Sequence, residues 1–284
     1  MRNYTNKEDC LTIVRGAGDL ATGVICALWM AGYPVIALET AQPTAIRRAV
    51  ALSEAVYDGM TAVEGMEGIR TDSAEEALRL AGAGKVPVVI DPSGDMIEVL
   101  KPVVVVDAVV AKRNLGTRHD MAPLTIALGP GFTAGSADSG ADVDVVVETM
   151  RGHNLGRLIL DGGALPDTGV PGAIAGHAAD RVMHTTAAGV FRCVRSIGDF
   201  VEKGDALAYV ETEAGEHVPV EASLRGILRG ILRDGTRVPV HRKAADIDPR
   251  PEERQNCFTI SDKSRSIGNS VLLAVEAWRS GRLR

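Results

Sequence analysis

The sequence predicts an α/β chain in three parts: a Rossmann-like parallel-sheet domain over residues 1–180, an all-β module over 181–250, and a C-terminal helix over 258–284 docking on one of the two. Three observations predict it. Apolar runs recur without polar alternation, as in strands covered on both faces. A short apolar run feeds a glycine turn and then a helical pattern near the N-terminus. The last third is rich in glycine turns and repeats itself at a constant offset. A chain of 284 residues can bury its cores without disulfide or metal staples.

In order, Leu11–Val14 reads as a buried strand and is followed by Leu20, Val24, Ala27, Leu28 and Ala31, the spacing of an amphipathic helix. Val35–Leu38 is a second strand, and the segment after Pro43 reads as a helix. Ser73 with Glu76 three residues on forms a capping box that opens another helix. Apolar runs at 86–90, 103–106, 124–128, 143–147 and 157–160 are further strands. From about Arg181 the texture turns to short strands. Gly189 and Gly226, Arg192 and Arg229, Gly198 and Gly235, and Val201 and Val238 each stand 37 apart, so two copies of one β unit are expected around a pseudo-twofold, as a barrel-sandwich hybrid. Its "VET" at 210–212 is written like the hairpin of a lipoyl or biotinyl carrier, but Ala214 stands where the modified lysine belongs, and no lysine occurs between Lys203 and Lys243. Biotin or lipoate attachment there is excluded. Ser261 is the expected N-cap of a final helix with Ile267, Val271, Ala274, Val275 and Trp278 on one face.

"RGAGDLA" (15–21) fits the G-x-G-x-x-G/A spacing between strand and helix, with Glu39 at the end of the next strand. There Arg15, Gly16, Gly18 and Asp19 would surround a pyrophosphate at a helix N-terminus and Glu39 would hold a ribose hydroxyl. Asp19 would face the phosphate, so a ligand-free turn capped by Asp19 is the competing reading. Other polar segments follow strands, where an open parallel sheet holds ligands: Lys112 and Arg113 in "AKRN", Gly129 and Gly131 in "GPGF", and Glu148, Arg151, His153, Asn154 and Arg157 in "ETMRGHNLGR". Glu148, Arg151 and His153 are the candidates for catalysis, and this basic loop and the glycine turn are expected to open onto one cleft holding an anion.

A net charge of −6 argues against general nucleic-acid binding. The N-terminus has no signal-like apolar core and the run Val24–Leu38 is broken by Gly32 and Pro34, so a soluble cytoplasmic chain is expected. The six histidines lack ligand spacing, so no metal is expected. Cys10, Cys26, Cys193 and Cys257 form no CxxC and read as reduced, inert thiols, with Cys257 the best placed if one is reactive.

"RGAGDLATG", "RRAVALSEAVYDG", "DAVVAKRN", "LGPGFTAG", "ETMRGHNLGR", "LRGILRDG", "DIDPR" and "ISDKSRSIG" together resemble the accessory proteins of the selenium-dependent molybdenum hydroxylase system, akin in role to xanthine dehydrogenase accessory proteins. The resemblance covers nearly the whole chain. It implies a cytoplasmic maturation factor with a molybdenum hydroxylase as client, and a molybdopterin-type cofactor or nucleotide as ligand; it does not supply a reaction. A selenium relay would call on Cys257. The chain departs from the family at His241, where glycine is common, and at "IGNS" (267–270), where an "IGGG"-like run is common. Two other functions stay open: an NAD-dependent oxidoreductase with Glu39 on the ribose and His153 as acid/base, and a scaffold that binds no small molecule.

Overall fold

A computed structural model describes residues 6–170 and 172–283. The chain divides into two units, one of Met1–Pro43, Leu52–Thr168 and Ile260–Arg284, the other of Thr44–Ala51 and Gly169–Thr259.

The first unit is a mixed α/β layer structure. Its strands are β1 (Thr12–Arg15), β2 (Val35–Glu39), β3 (Met60–Val63), β4 (Met66–Thr71), β5 (Val86–Ile90), β6 (Val104–Asp107), β7 (Leu124–Leu128), β8 (Thr133–Ala134), β9 (Val145–Val147), β10 (Leu158–Ile159) and β11 (Gly162–Gly163). Its helices are α1 (Asp19–Met30), α2 (Ala55–Asp58), α3 (Ala74–Gly82), α4 (Asp95–Leu100) and α5 (Asp262–Arg279). Nine strands form one sheet in the order β10-β9-β7-β6-β1-β2-β5-β4-β3, while β8 and β11 pair separately. All neighbours in the large sheet are parallel except the edge pairs β3/β4 and β9/β10. The uninterrupted apolar runs are its inner strands: β1, β6, β7 and β9 are buried throughout. The run at 157–160, by contrast, is a two-residue antiparallel edge strand.

One face of the sheet packs on α3 and α4, joining Ile13, Ile36, Leu38 and Val105 to Ala77, Ala81 and Ile97. Elsewhere in this unit α5 packs on α1 and reaches β7 and β9. That explains why α1 is buried almost all round and not only along one stripe: Gly23 and Cys26 are covered as well as Val24 and Leu28. The helices meet through Gly23 and Gly268. A Cβ at Gly268 would stand 2.2 Å from the Gly23 carbonyl oxygen, so the contact admits no side chain. Both expected caps form: the Ser73 hydroxyl accepts from the Glu76 amide, and Ser261 accepts from the Ser264 amide. The Glu76 carboxylate does not reciprocate but pairs with Arg79, so half of the capping box is built.

The segment after Pro43 differs from the expected helix. It forms two 3₁₀ turns, Arg48–Val50 and Leu52–Glu54, before the one-turn α2. Residues 44–51 join the second unit, where the Ile46 carbonyl accepts from the Ile231 amide and Arg48 donates to the Ile231 carbonyl. The lower boundary of that unit falls at Gly169, before the residue 180 expected from texture.

The second unit contains β12 (Val182–His184), β13 (Gly189–Cys193), β14 (Phe200–Val201), β15 (Ala206–Glu211), β16 (His217–Glu221), β17 (Gly226–Ile231), β18 (Arg237–Val238) and β19 (Lys243–Asp248). They make two four-stranded sheets, β12-β19-β17-β14 and β16-β15-β13-β18. Advancing β13, β14 and β15 by 37 residues gives the starts of β17, β18 and β19, and maps one sheet onto the other. The short strands cross over: Val201 pairs with Gly226, and Val238 with Gly189. The repeat extends to sterics, since a Cβ at Gly189 would come within 2.1 Å of the Glu211 carbonyl and one at Gly226 within 2.2 Å of the Asp248 carbonyl. Phe191 and Leu228, also equivalent, are fully buried in the shared core. At His241 the backbone has φ +63°, so this turn requires the left-handed region that glycine enters most readily.

Candidate functional site

β1 lies at the centre of the parallel sheet, with β2 on one side and β6 on the other, so the β1/β6 boundary is where the chain reverses direction and where an open α/β sheet places its ligand crevice. Here the crevice is narrow. Gly16 (φ +99°) lies against the start of the β6 loop, and a Cβ there would stand 3.0 Å from the Ala108 carbonyl oxygen. The Ala17 amide donates to Glu39 Oε2 at 2.8 Å, and the Thr40 amide to Glu39 Oε1 at 2.7 Å. Both carboxylate oxygens of Glu39 are therefore engaged by backbone, one of them at the glycine turn itself. A ribose hydroxyl at Glu39, the role expected for it, would share these oxygens with the backbone amides.

Arg15 is also turned inward. It is 4% exposed, donates to Thr117 Oγ1, lies 3.6 Å from Asp107 Oδ2 and reaches the Pro92 carbonyl at 3.4 Å. Asp107 is its register partner on β6, so the arginine in a usually apolar position is explained by a buried ion pair and not by a ligand. Gly18 is the N-cap of α1 and has no side-chain cap; Asp19 accepts a hydrogen bond from Ser264 Oγ at 2.9 Å. Asp19 thus turns one carboxylate oxygen toward α5.

The loops after β6, β7 and β9 converge. Gly131 packs on Lys112 and Arg113 so closely that a Cβ would meet the Arg113 Cα at 2.5 Å, and Gly129 likewise abuts Thr149. Asn114 organises the β6 loop, accepting from the Gly116 and Thr117 amides and donating to Asp142. Asp142 in turn accepts from the Thr133 amide and hydroxyl, and was not legible as part of the site because its partners lie in other loops. Glu148 is 2% exposed and accepts from the Met150 and Leu165 amides at 2.7 and 2.8 Å. It folds the loop, with one backbone amide on each carboxylate oxygen, and is nearly closed to solvent where catalysis was expected of it. Arg151 forms a two-pronged pair with Asp262 at 2.7 and 2.8 Å, and Lys112 pairs with Asp167 at 2.6 Å. Arg113, His153 and Arg157 are exposed, and their side chains make no hydrogen bond or ion pair with the described residues.

The shared cleft expected between the glycine turn and the basic loop is bridged by the first turn of α5. Its Asp262 holds Arg151 after β9, and its Ser264 holds Asp19 after β1. A separate open groove of about 920 Å³ runs beside α4, with Ser93, Gly94, Lys101, Gly116 and Arg118 among its walls; none of the nominated residues lines it. In the second unit Cys257 is 1% exposed and burial pushes its thiol pKa up, as it pushes Cys193 to about 11. Neither has the lowered pKa of a reactive thiol, which removes the basis for a relay at Cys257. Among the described residues no group of three or more His, Cys, Asp or Glu is placed to hold a metal ion, and no helix is long and apolar enough to cross a membrane.

No family model matches the chain. It is similar to a protein of Escherichia coli (strain K12) described as uncharacterized protein YqeB, 48% identical over 266 residues that cover 93% of this chain and 47% of the relative. The chain thus spans about half the length of the curated relative it matches. Similar solved structures include an aspartoacylase family protein from Mesorhizobium loti, at 16% identity and TM-score 0.28 over 84% of this chain and 85% of that one. A succinylglutamate desuccinylase/aspartoacylase from Rhodobacter sphaeroides matches at 12% identity and TM-score 0.29 over 84% and 86%. The product-bound ectoine utilization protein of Ruegeria pomeroyi matches at 13% and 0.23, over 84% and 57%. These findings overturn the family expected from the sequence. No family model matches and the curated relative is uncharacterized, so the assignment as a maturation factor for selenium-dependent molybdenum hydroxylases is withdrawn. The TM-scores are too low to carry those proteins' activities over to this chain.

Proposed function

We propose that the α/β unit binds a small phosphate-bearing anion, of the nucleotide class, on the loops that follow β6, β7 and β9. The observation that carries this reading is the set of basic side chains left without an acceptor there. Arg113 is held beside the Gly129-Pro130-Gly131 turn by the Gly131 contact, and His153 and Arg157 flank the neighbouring loop. Most arginines of this unit, Arg15, Arg79, Arg118 and Arg151 among them, have a carboxylate within 4 Å, so basic side chains without one on adjoining loops are an asymmetry that a ligand anion would resolve. Glu148, Asn114 and Asp142 then serve to shape the loops by binding backbone amides and one another. The second unit is read as an unmodified barrel-sandwich hybrid, a reading supported by its two interchanged sheets. The four unpaired cysteines suit the cytoplasm as the compartment.

The test is calorimetric titration of the full chain with ADP and with inorganic phosphate. ADP binding is expected to weaken by about tenfold or more in Arg113→Ala, the loss of one charge-assisted hydrogen bond of about 1.5–3 kcal/mol. The melting temperature should not move, because that side chain supports nothing else. Absence of heat for both probes at millimolar concentration would end the proposal.

A further inference from the structure

We propose that Asp262 is a built-in competitor for the anion site: its carboxylate occupies the Arg151 guanidinium in the ligand-free chain and yields it when a phosphate group arrives. The inference rests on the reading of that site as an anion site, and it concerns how the site is regulated. The two-pronged geometry, Nη1 to Oδ2 at 2.7 Å and Nη2 to Oδ1 at 2.8 Å, is the one a phosphate or carboxylate ligand would make with the same fork. Both side chains keep contact with solvent, at 35% and 66% exposure, so exchange of one anion for another needs no core to open.

The position of Asp262 supports exchange as well. It is the first residue of α5, and the helix does not depend on this pair for its anchorage. The Ser261 cap, the Ser264 bond to Asp19 and the Gly23/Gly268 contact all hold the same end of α5 in place. Releasing Arg151 therefore leaves the turn docked, with the freed carboxylate still beside the helix N-terminus, where negative charge is favoured. The loop that carries Arg151 also carries His153 and Arg157, whose side chains have no acceptor among the described residues.

The experiment titrates ADP into the wild-type chain and into Asp262→Asn, Arg151→Ala and the double variant, with urea melts of each. Removing the competing charge is expected to tighten ADP binding about two- to fivefold in Asp262→Asn, the range set by an exposed ion pair of at most about 1 kcal/mol. The gain should be absent from the double variant compared with Arg151→Ala, and the urea midpoint of Asp262→Asn should stay close to wild type. Wild-type binding with unchanged or weaker affinity in Asp262→Asn overturns the competitor and leaves the anion site standing. A purely structural pair would instead lower the urea midpoint with no gain in affinity. Failure of every protein to bind ADP overturns both readings.

Discussion

Replacing Gly268 with alanine sets two effects of opposite sign against each other. Helix propensity favours the change, since alanine is better than glycine by about 0.8–1 kcal/mol in a helix interior. The structure opposes it. The new methyl would stand 2.2 Å from the Gly23 carbonyl oxygen and 2.8 Å from its carbonyl carbon, and both are backbone atoms that cannot rotate away. Relief requires α1 and α5 to part by about 1 Å, which forfeits a quarter to a half of each dispersion contact across the interface. Overpacking of this kind costs about 1–3 kcal/mol, and here it is aggravated because Gly23 faces the Ser264 backbone just as tightly. A net loss of about 1–2 kcal/mol is expected, read as a lower urea midpoint at unchanged slope. Gly82, the last residue of α3, is the control: a Cβ there meets nothing within 4 Å, so Gly82→Ala should hold or raise the midpoint. A Gly268→Ala chain as stable as wild type would refute the close helix contact, and with it the placement of Asp262 and Ser264 over the site.

Asp91 lies after β5, where burial alone would raise its pKa, but the Met96, Gly94 and Asp95 amides and the Ser93 hydroxyl outweigh burial and hold it below the ordinary range. A depressed native pKa contributes stability above the unfolded value of about 3.9 and loses it as pH falls through the native value. Urea midpoints of wild type and Asp91→Asn should therefore differ at pH 6 and draw together as the pH falls below the unfolded value and through the native one; a gap that widens on acidification would contradict this sign. The thiols offer another check. Burial raises Cys10 and Cys193 to about 11 and shifts Cys26 and Cys257 upward too, so the native chain at pH 8 should react slowly with a thiol reagent and release four equivalents in urea. Rapid native labelling at Cys257 would contradict its burial.

The parallel strands, the Ser73 and Ser261 caps and the 37-residue repeat were legible in the sequence because each depends on neighbours along the chain. A strand buried on both faces must be apolar throughout, a cap reaches three residues, and a repeated unit repeats its turns and close contacts, down to Gly189 and Gly226. The β3/β4 hairpin was missed because its strands are short and only partly covered: β3 is buried only at Val63. The segment at 44–51 was read as a helix because nothing local announces that its backbone will meet Ile231.

What the sequence determined by itself was the layer type, the positions of the inner strands along the chain and which loops follow them. What only the tertiary structure decided was the partner of each charged side chain in those loops. Glu39 turns to Ala17, Arg15 to Asp107, Asp19 to Ser264 and Arg151 to Asp262. The last two pairs join residues 245 and 111 positions apart. A charge selects its partner by distance and by the water it loses, and neither is set until α5 has packed against α1.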